Sequence, residues 1–232
     1  GQVLASIDAL GPNAHFFRLG APVDLSAIGL DLPAHLVLGH SAAGSRFEST
    51  SIRGLTPFIG RSDLVEELRA FVLDRDEKPL AKIIVGGAGL GKTRLIEETL
   101  ASLRSQAVTI LRGGCENYLG AEVLQPFLQM VRSYIGLRDG LSADEGMALA
   151  NAALEPWRGA LGPRVDSVRG LVVASPDVRP AEAASRALDD LSAFILALAK
   201  HGQVAIVIDD WQWADDATRQ LVGLLMQSRS AL

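Results

Sequence analysis

Several features that define other classes of protein are scarce or absent in this sequence. One cysteine in 232 residues, Cys115, excludes an internal disulfide framework and a cysteine-rich zinc site. Because it follows a predicted strand, we expect an unreactive thiol. The four histidines lack metal-ligand spacing. No apolar run approaches the roughly 18 residues that cross a bilayer, and a net charge of −5 argues against a broad nucleic-acid-binding surface. We therefore expect a cytoplasmic protein without membrane contact or direct nucleic-acid contact.

The composition allows a substantial core, since 48% of the residues are hydrophobic. The length suits one full domain or one and a half. The first residue is Gly1 rather than Met, and Leu232 comes soon after an apolar helical pattern. We therefore expect a fragment of a longer polypeptide.

The most informative segment, here called the phosphate loop, matches G-x-x-x-x-G-K-[ST] at every fixed position. It consists of Gly86, Gly87, Ala88, Gly89, Leu90, Gly91, Lys92 and Thr93. The apolar run at 82–85 predicts a short buried strand before it, and apolar residues from Leu95 to Leu103 recur at helical spacing after it. This order of strand, loop and helix favours a nucleotide-binding loop over a glycine-rich turn with a chance lysine.

The residue types of the phosphate loop suit a polyphosphate. Glycines permit positive φ, so successive N–H groups turn inward around the anion, and the new helix adds its partial positive charge. Lys92 would bridge the outer phosphates, and the Thr93 hydroxyl would ligate Mg²⁺. Arg94 and Arg112 would contact phosphate or form exposed salt bridges, and the sequence leaves both readings open. The predicted cofactors are ATP and Mg²⁺.

A second element of the same site is predicted far downstream. Residues 204–208 form an unbroken apolar run that is typical of a buried parallel strand, and Asp209 and Asp210 follow it. Ligands gather beyond the carboxyl ends of such strands. Asp209 would hold Mg²⁺ directly or through water. Many ATPases with such a loop place an acid, usually a Glu, at the next position, where it polarises the attacking water. This resemblance implies that Asp210 and Lys92 are the catalytic residues, although the Asp210 side chain is shorter than that of Glu.

Apolar periodicity predicts the remaining elements. Helices are expected at 64–72, 123–134, 143–161 and 181–200, a strand at 107–111, and a long loop at 162–180. Ser62 or Asp63 is expected to cap the first helix. In the segment 211–216, Trp213 is expected to pack, and Asp215 or Asp216 to cap the following helix. Together these elements predict an α/β fold, a three-layer αβα arrangement around a parallel sheet.

Three motifs together resemble a known family. They are Gly60-Arg61 before the first helix, the phosphate loop, and the segment 208–215. They are similar to the AAA/STAND-type P-loop ATPase module, of the kind related to origin-recognition proteins, found in large bacterial signalling proteins. The resemblance covers about residues 55–232. It implies that Gly60 and Arg61 lie near the nucleotide base.

The N-terminal stretch looks like the tail of a class III nucleotide cyclase domain. Strand-like pieces are expected at 1–6, 15–19 and 35–38. The resemblance implies a cyclase tail at 1–39, a linker at 40–57 and the ATPase module at 58–232. The cyclase's catalytic residues would then lie upstream of this chain. It also implies a truncated sheet. In the family a strand after the Asp209 strand inserts between the strands that carry the phosphate loop and the metal-side acid, and we expect no such strand in this sequence.

Four functions are compatible with these motifs. The first is a regulatory ATPase in a multidomain signalling protein, whose partners are a cyclase upstream and a repeat or sensor domain downstream. The second is the ATPase module of a transcription regulator with a DNA-binding domain elsewhere. A small-molecule kinase and a non-hydrolysing scaffold are the others. Paired acids at 209 and 210 favour a switch over a kinase acceptor pocket.

Overall fold

The computed structural model describes residues 3–5, 17–23, 34–40, 58–74, 81–116, 122–138, 140–173 and 183–229. The chain divides into two compact units, Gly1–Gly60 and Arg61–Leu232. In the part of the chain so described, no helix is both long enough and apolar enough to cross a bilayer.

The first unit contains a three-stranded antiparallel sheet. Its strands are β1 (Val3–Ala5), β2 (Phe17–Val23) and β3 (Ala34–His40), in the order β1-β3-β2. Pro22 has no N–H to donate, so it suits the edge position of β2. The three strand-like pieces predicted from the sequence are thus confirmed as strands. Residues 41–57 of the predicted linker lie outside the described residues, and the domain boundaries stay predictions.

The second unit is mostly helical. Its elements in chain order are α1 (Ser62–Leu73), α2 (Lys92–Ser102), β4 (Val108–Gly114), α3 (Gln125–Tyr134), α4 (Ala143–Leu154), a 3₁₀ turn (Glu155–Trp157), α5 (Arg158–Leu161), α6 (Arg164–Val173), α7 (Ala183–His201), β5 (Gln203–Asp209), a second 3₁₀ turn (Trp211–Trp213) and α8 (Asp216–Arg229).

The two strands of this unit pair in parallel. Their register runs from Val108 opposite Gln203 to Gly114 opposite Asp209. Four helices and a short helical segment, α3 to α7, lie between them in sequence, as a parallel connection requires. The parallel strand direction predicted for residues 204–208 is confirmed. The predicted three-layer αβα arrangement is not, because the described residues of this unit contain a sheet of only two strands within a mostly helical fold.

The strand predicted at 82–85 is the main error in the fold. These residues are described but form no strand, and Ile83 and Val85 are 76% and 87% exposed. A strand is stable only when a neighbour satisfies its backbone N–H and C=O groups, and no described strand pairs with this segment. Strand β5 was predicted to be buried, but it is only partly buried and leaves Ile206 37% exposed. The reason is that, among the described residues, β5 has a neighbouring strand on one side only.

The core of the second unit lies among the helices and β4. Phe127 of α3 and Phe194 of α7 are fully buried in it, and burial of such a side chain contributes about 1.5–3 kcal/mol. The Phe194 ring meets Tyr134 and Trp157 edge to face, with ring centroids 5.7 and 5.9 Å apart. These contacts fix the helices that support β4 and β5.

Helix α6 corrects the first part of the long loop predicted at 162–180, and residues 174–180 of that prediction lie outside the described residues. Val165, Val168 and Val172 are buried at helical spacing on this helix. Pro163 comes immediately before the helix, a position where a missing N–H is tolerated. Valine has a low helix propensity, so burial in the core, rather than local preference, forms this helix.

Candidate functional site

The phosphate loop combines two left-handed glycines with a helix start. Gly89 has φ 75° and Gly91 has φ 79°, a conformation that costs other residues roughly 1–2 kcal/mol. Along α2, the first backbone N–H that hydrogen-bonds to the loop is that of Leu95, which donates to the Gly91 carbonyl at 2.9 Å. The N–H groups at the start of α2 precede this bond, so they form the donor end of the helix.

The Lys92 side chain lies against the same loop. Its Nζ donates to the carbonyls of Gly86 at 2.8 Å and Gly87 at 3.0 Å. An ammonium group has three N–H donors, so these bonds leave capacity for a further acceptor. Lysine ammonium, loop amides and a helix N-terminus are the donors that a polyphosphate needs, so the residues present fit the predicted ligand.

Arg94, for which the sequence left phosphate contact and a salt bridge both open, pairs with a carboxylate of its own helix. Its Nη2 lies 2.6 Å from Oε1 of Glu98. This is an i,i+4 pair, which stabilises helices by about 0.2–0.5 kcal/mol. The structure therefore shows a salt bridge here.

Arg61 contacts the phosphate loop directly. Its Nη1 donates to the Leu90 carbonyl at 2.6 Å. Arg61 is also the N-cap residue of α1, in a left-handed conformation with φ 59°. The caps predicted at Ser62 and Asp63 are therefore wrong, because the helix begins at Ser62 and no side chain caps it. The structure brings Arg61 to the loop backbone, and it gives Gly60 a φ of 74° that suits glycine.

Asp209 ends β5 and is held by an arginine. Its Oδ2 accepts from Nη2 of Arg112 at 2.6 Å and from Nε at 3.2 Å. Arg112 lies on β4 and also donates through Nη1 to Oε1 of Glu97 on α2. The arginine therefore joins the predicted metal-side carboxylate to the helix that follows the phosphate loop.

The position of Thr93 follows from this link. Thr93 and Glu97 are four residues apart on α2, so they share one face of the helix about 6 Å apart along its axis. Because Glu97 contacts the same guanidinium as Asp209, the face that carries Thr93 is turned toward the ends of β4 and β5. The predicted metal ligand Thr93 is thus on the helix face that is linked to Asp209 through Glu97 and Arg112.

Asp210 has an unusual backbone conformation for a residue other than glycine. Its φ of 55° and ψ of 40° are left-handed, a conformation that Asp tolerates better than most residues. Its Oδ1 accepts from Nε2 of Gln212 at 3.0 Å, and the residue is exposed. Consecutive aspartates therefore have different partners, because Asp209 bonds to Arg112 and Asp210 to the 3₁₀ turn.

Comparison with known families agrees with this geometry. The family model described as the AAA ATPase domain matches residues 57–232, well over half of the chain. The chain belongs to the AAA ATPase domain family. It therefore carries a nucleotide-binding ATPase module. No curated protein and no solved structure gives a match.

The segment after the paired aspartates connects two helices of the AAA ATPase domain through hydrogen bonds. Asp215 caps α8, since its Oδ1 accepts from the Thr218 N–H at 2.7 Å and its Oδ2 from the Thr218 hydroxyl at 2.9 Å. The same Oδ2 accepts from the Leu124 N–H at 3.2 Å, which ties α8 to the start of α3. The predicted cap is confirmed. The prediction that Trp213 packs is wrong, because it is 49% exposed.

Cys115 of the AAA ATPase domain has a thiol that its surroundings make unreactive. It is buried at the end of β4. Burial first, and then the negative charges of Asp215 and Asp210, raise the pKa of its thiol to about 11. The thiol therefore stays protonated at neutral pH, in agreement with the sequence-based expectation.

Sequence reasoning missed Glu97 and left the role of Arg112 open. The signal for Glu97 is its place one helical turn after Thr93, and the signal for Arg112 is a charged residue in an otherwise apolar strand. Neither signal identifies the residue to which the side chain bonds. In the described residues, no group of three or more His, Cys, Asp or Glu side chains has the arrangement of a metal site.

Proposed function

We propose that the AAA ATPase domain of this chain binds ATP with Mg²⁺ and acts as a nucleotide-dependent switch. The observation that carries this proposal is the phosphate loop itself, with left-handed Gly89 and Gly91 and with Lys92 folded over the loop. The contact of Arg112 with both Glu97 and Asp209 supports it, because it brings the predicted metal-side acid to the loop's helix.

In this proposal the loop residues hold the phosphates. The N–H groups of the phosphate loop and the Lys92 ammonium would bind phosphate oxygens, and the Thr93 hydroxyl and the Asp209 carboxylate would hold Mg²⁺. Bound Mg²⁺ would neutralise charge on the outer phosphates during hydrolysis. Arg61, which already contacts the loop, would border the nucleotide together with Gly60.

Asp210 is the proposed group that orients and polarises the attacking water. It is exposed at the end of β5 and is restrained by Gln212. An aspartate is one methylene shorter than a glutamate, so its carboxylate reaches less far. Slow hydrolysis is the expected result, and slow hydrolysis suits a switch that holds its ATP state for a long time.

We place this switch in a multidomain bacterial signalling protein of the AAA/STAND type. The support is the Gly60-Arg61 box, the segment 208–215 and the cyclase-like pattern of residues 1–39. A cyclase domain upstream would be its output, and the product would then be a cyclic nucleotide. A repeat or sensor domain downstream would supply the signal.

Calorimetric titration with ATP and Mg²⁺ tests the nucleotide site. Lys92→Ala should lose measurable ATP binding, because it removes the only side-chain cation that bonds to the loop's first glycines in the described residues. Lys200→Ala is the matched control, since Lys200 is exposed in the last turn of α7, and it should bind like the wild type. Equal binding by Lys92→Ala and the wild type would overturn the proposal.

A further inference from the structure

One arginine of the second unit bonds carboxylates from two other elements. Arg112 lies on β4, Glu97 on α2 and Asp209 at the end of β5, so the three residues come from well-separated parts of the chain. Their side chains are 22%, 18% and 24% exposed respectively. These partly buried contacts are screened less by solvent than a surface ion pair.

The strand register explains how Arg112 reaches Asp209. Gly114 stands opposite Asp209 in the parallel pair, and residues 112 and 114 share a face because side chains alternate along a strand. Arg112 is therefore the diagonal neighbour of Asp209 on that face. Its guanidinium spans the remaining distance and still presents Nη1 to Glu97.

The hydrogen bonds from Arg112 occupy only one oxygen of the Asp209 carboxylate. Both Nη2 and Nε donate to Oδ2, and Oδ1 has no hydrogen-bond partner among the described residues. A carboxylate held in this way has a fixed plane and a free oxygen. A hard cation, or one of its waters, binds such an oxygen without displacing the arginine.

We propose that Arg112 is a positioning residue for the magnesium side of the nucleotide site. It orients Asp209 through Oδ2, leaves Oδ1 for Mg²⁺ or its water, and couples this carboxylate to the Thr93 face of α2 through Glu97. The inference rests on the proposed function, since it concerns the metal that accompanies the nucleotide. It adds two residues, Arg112 and Glu97, that do not touch the ligand themselves.

Two effects of Arg112 oppose one another. Its positive charge weakens the attraction of Asp209 for a second cation, while its hydrogen bonds hold the carboxylate in the binding orientation. We expect orientation to be the larger effect, because Oδ1, the oxygen proposed to face the metal, accepts no hydrogen bond among the described residues. Groups that hydrogen-bond a metal ligand typically contribute about 10–100-fold to metal affinity. Removal of Arg112 should therefore weaken Mg²⁺ binding rather than strengthen it.

The test is calorimetric titration with ATP at a series of Mg²⁺ concentrations and again in EDTA. For Arg112→Met, the Mg²⁺ concentration that half-restores tight ATP binding should rise about tenfold or more. Its ATP affinity in EDTA should equal that of the wild type, because the loop amides and Lys92 carry that binding. Loss of a merely structural residue would weaken binding under both conditions.

Milder variants guard against misfolding of Arg112→Met. Arg112→Lys keeps the charge but has no planar fork for two carboxylates, so it should recover only part of the Mg²⁺ response. Glu97→Gln should shift the response in the same direction by less, since Asp209 keeps its own bonds to Arg112.

The matched control is Arg169→Met, because Arg169 is 25% exposed and paired with Asp166 on α6. It should leave the Mg²⁺ dependence unchanged.

Three results would overturn the inference. They are an unchanged Mg²⁺ dependence in Arg112→Met and Arg112→Lys, a lower Mg²⁺ requirement, which would make the arginine a competitor of the metal, and an equal loss of affinity in EDTA. Failure of the proposed function would differ from all three, because the wild type itself would then bind no ATP at any Mg²⁺ concentration.

Discussion

Glycine conformation determines the shape of the phosphate loop. Gly91 is the N-cap of α2 and has φ 79°, and a Cβ added there would meet only Nη1 of Arg61, at an ordinary 3.6 Å. Space is therefore not the constraint at this position. The constraint is the left-handed backbone, which directs the following N–H groups into the loop.

Gly91→Ala should destabilise the protein by about 1–2 kcal/mol, because alanine pays the steric cost of the left-handed region. The free energy of unfolding in urea measures the change. Gly223→Ala is the matched control, since Gly223 lies inside α8 and an added Cβ would meet nothing within 4 Å. It should stabilise by about 0.5–1 kcal/mol. Equal losses in both variants would contradict this account of the loop.

Individual site residues differ in how far the sequence specified them. The positions of Lys92 and Thr93 at the start of α2 follow from the loop motif, because a glycine turn and a helix start are local structures. The salt bridge of Arg94 is also local, since its partner Glu98 lies one turn away. The partners of Arg112 lie 15 and 97 residues away, and no local pattern encodes them.

At the scale of elements, the contact of β4 with α3 depends on a missing side chain. A Cβ added to Gly113 would lie 2.2 Å from the Pro126 carbonyl oxygen and 2.6 Å from its Cα. Both atoms belong to the backbone, so no flexible side chain is able to move away. The helix packs on the strand at this distance only because residue 113 is glycine.

Gly113→Ala should therefore destabilise the second unit by about 3 kcal/mol, the upper end of the usual cost of overpacking. Chemical unfolding measures it, and the variant should also bind ATP less tightly because β4 carries Arg112. Gly114→Ala, one residue along the same strand, is the matched control, since its Cβ would meet nothing within 4 Å. A similar loss in both variants would show that strand propensity, and not the approach of α3, is responsible.

Element prediction succeeded where a helix has a clear apolar stripe. Helices α3, α4 and α7 lie where periodicity placed them, and β4 and β5 extend the predicted strands by a few residues. Helix α6 and the segment 82–85 were predicted wrongly. Helix α6 depends on the burial of its valines, and an apolar segment becomes a strand only beside a partner, so neither outcome is a property of the local sequence.

At the scale of the whole molecule, the proposed switch links ATP binding to hydrolysis at the ends of β4 and β5. Asp209 and Asp210 are adjacent in the chain yet bond to different groups, Arg112 and Gln212. One carboxylate is thus restrained beside the loop's helix, and the other is exposed. In the proposed function, this separation would allow a state in which ATP is bound and not yet hydrolysed.

Asp210→Asn should keep the ATP affinity of the wild type and lower the hydrolysis rate about 100-fold or more, the usual contribution of a general base. Phosphate release measures hydrolysis, and calorimetry measures affinity. Gln212→Ala, which removes the partner of Asp210, should reduce hydrolysis by less. Turnover of Asp210→Asn at the wild-type rate would show that another group polarises the water.

The sequence by itself determined the phosphate loop, the helix after it, the parallel strand that ends in Asp209 and the membership of the ATPase family. These features depend on backbone conformation and periodicity within short segments, which neighbouring residues encode. Only the tertiary structure decided that Arg112 joins Glu97 to Asp209, that Arg61 contacts the loop at Leu90, and that Ile83 and Val85 stay exposed. Those outcomes depend on which distant segments meet, because ion pairs and strand ladders need partners that local sequence does not name.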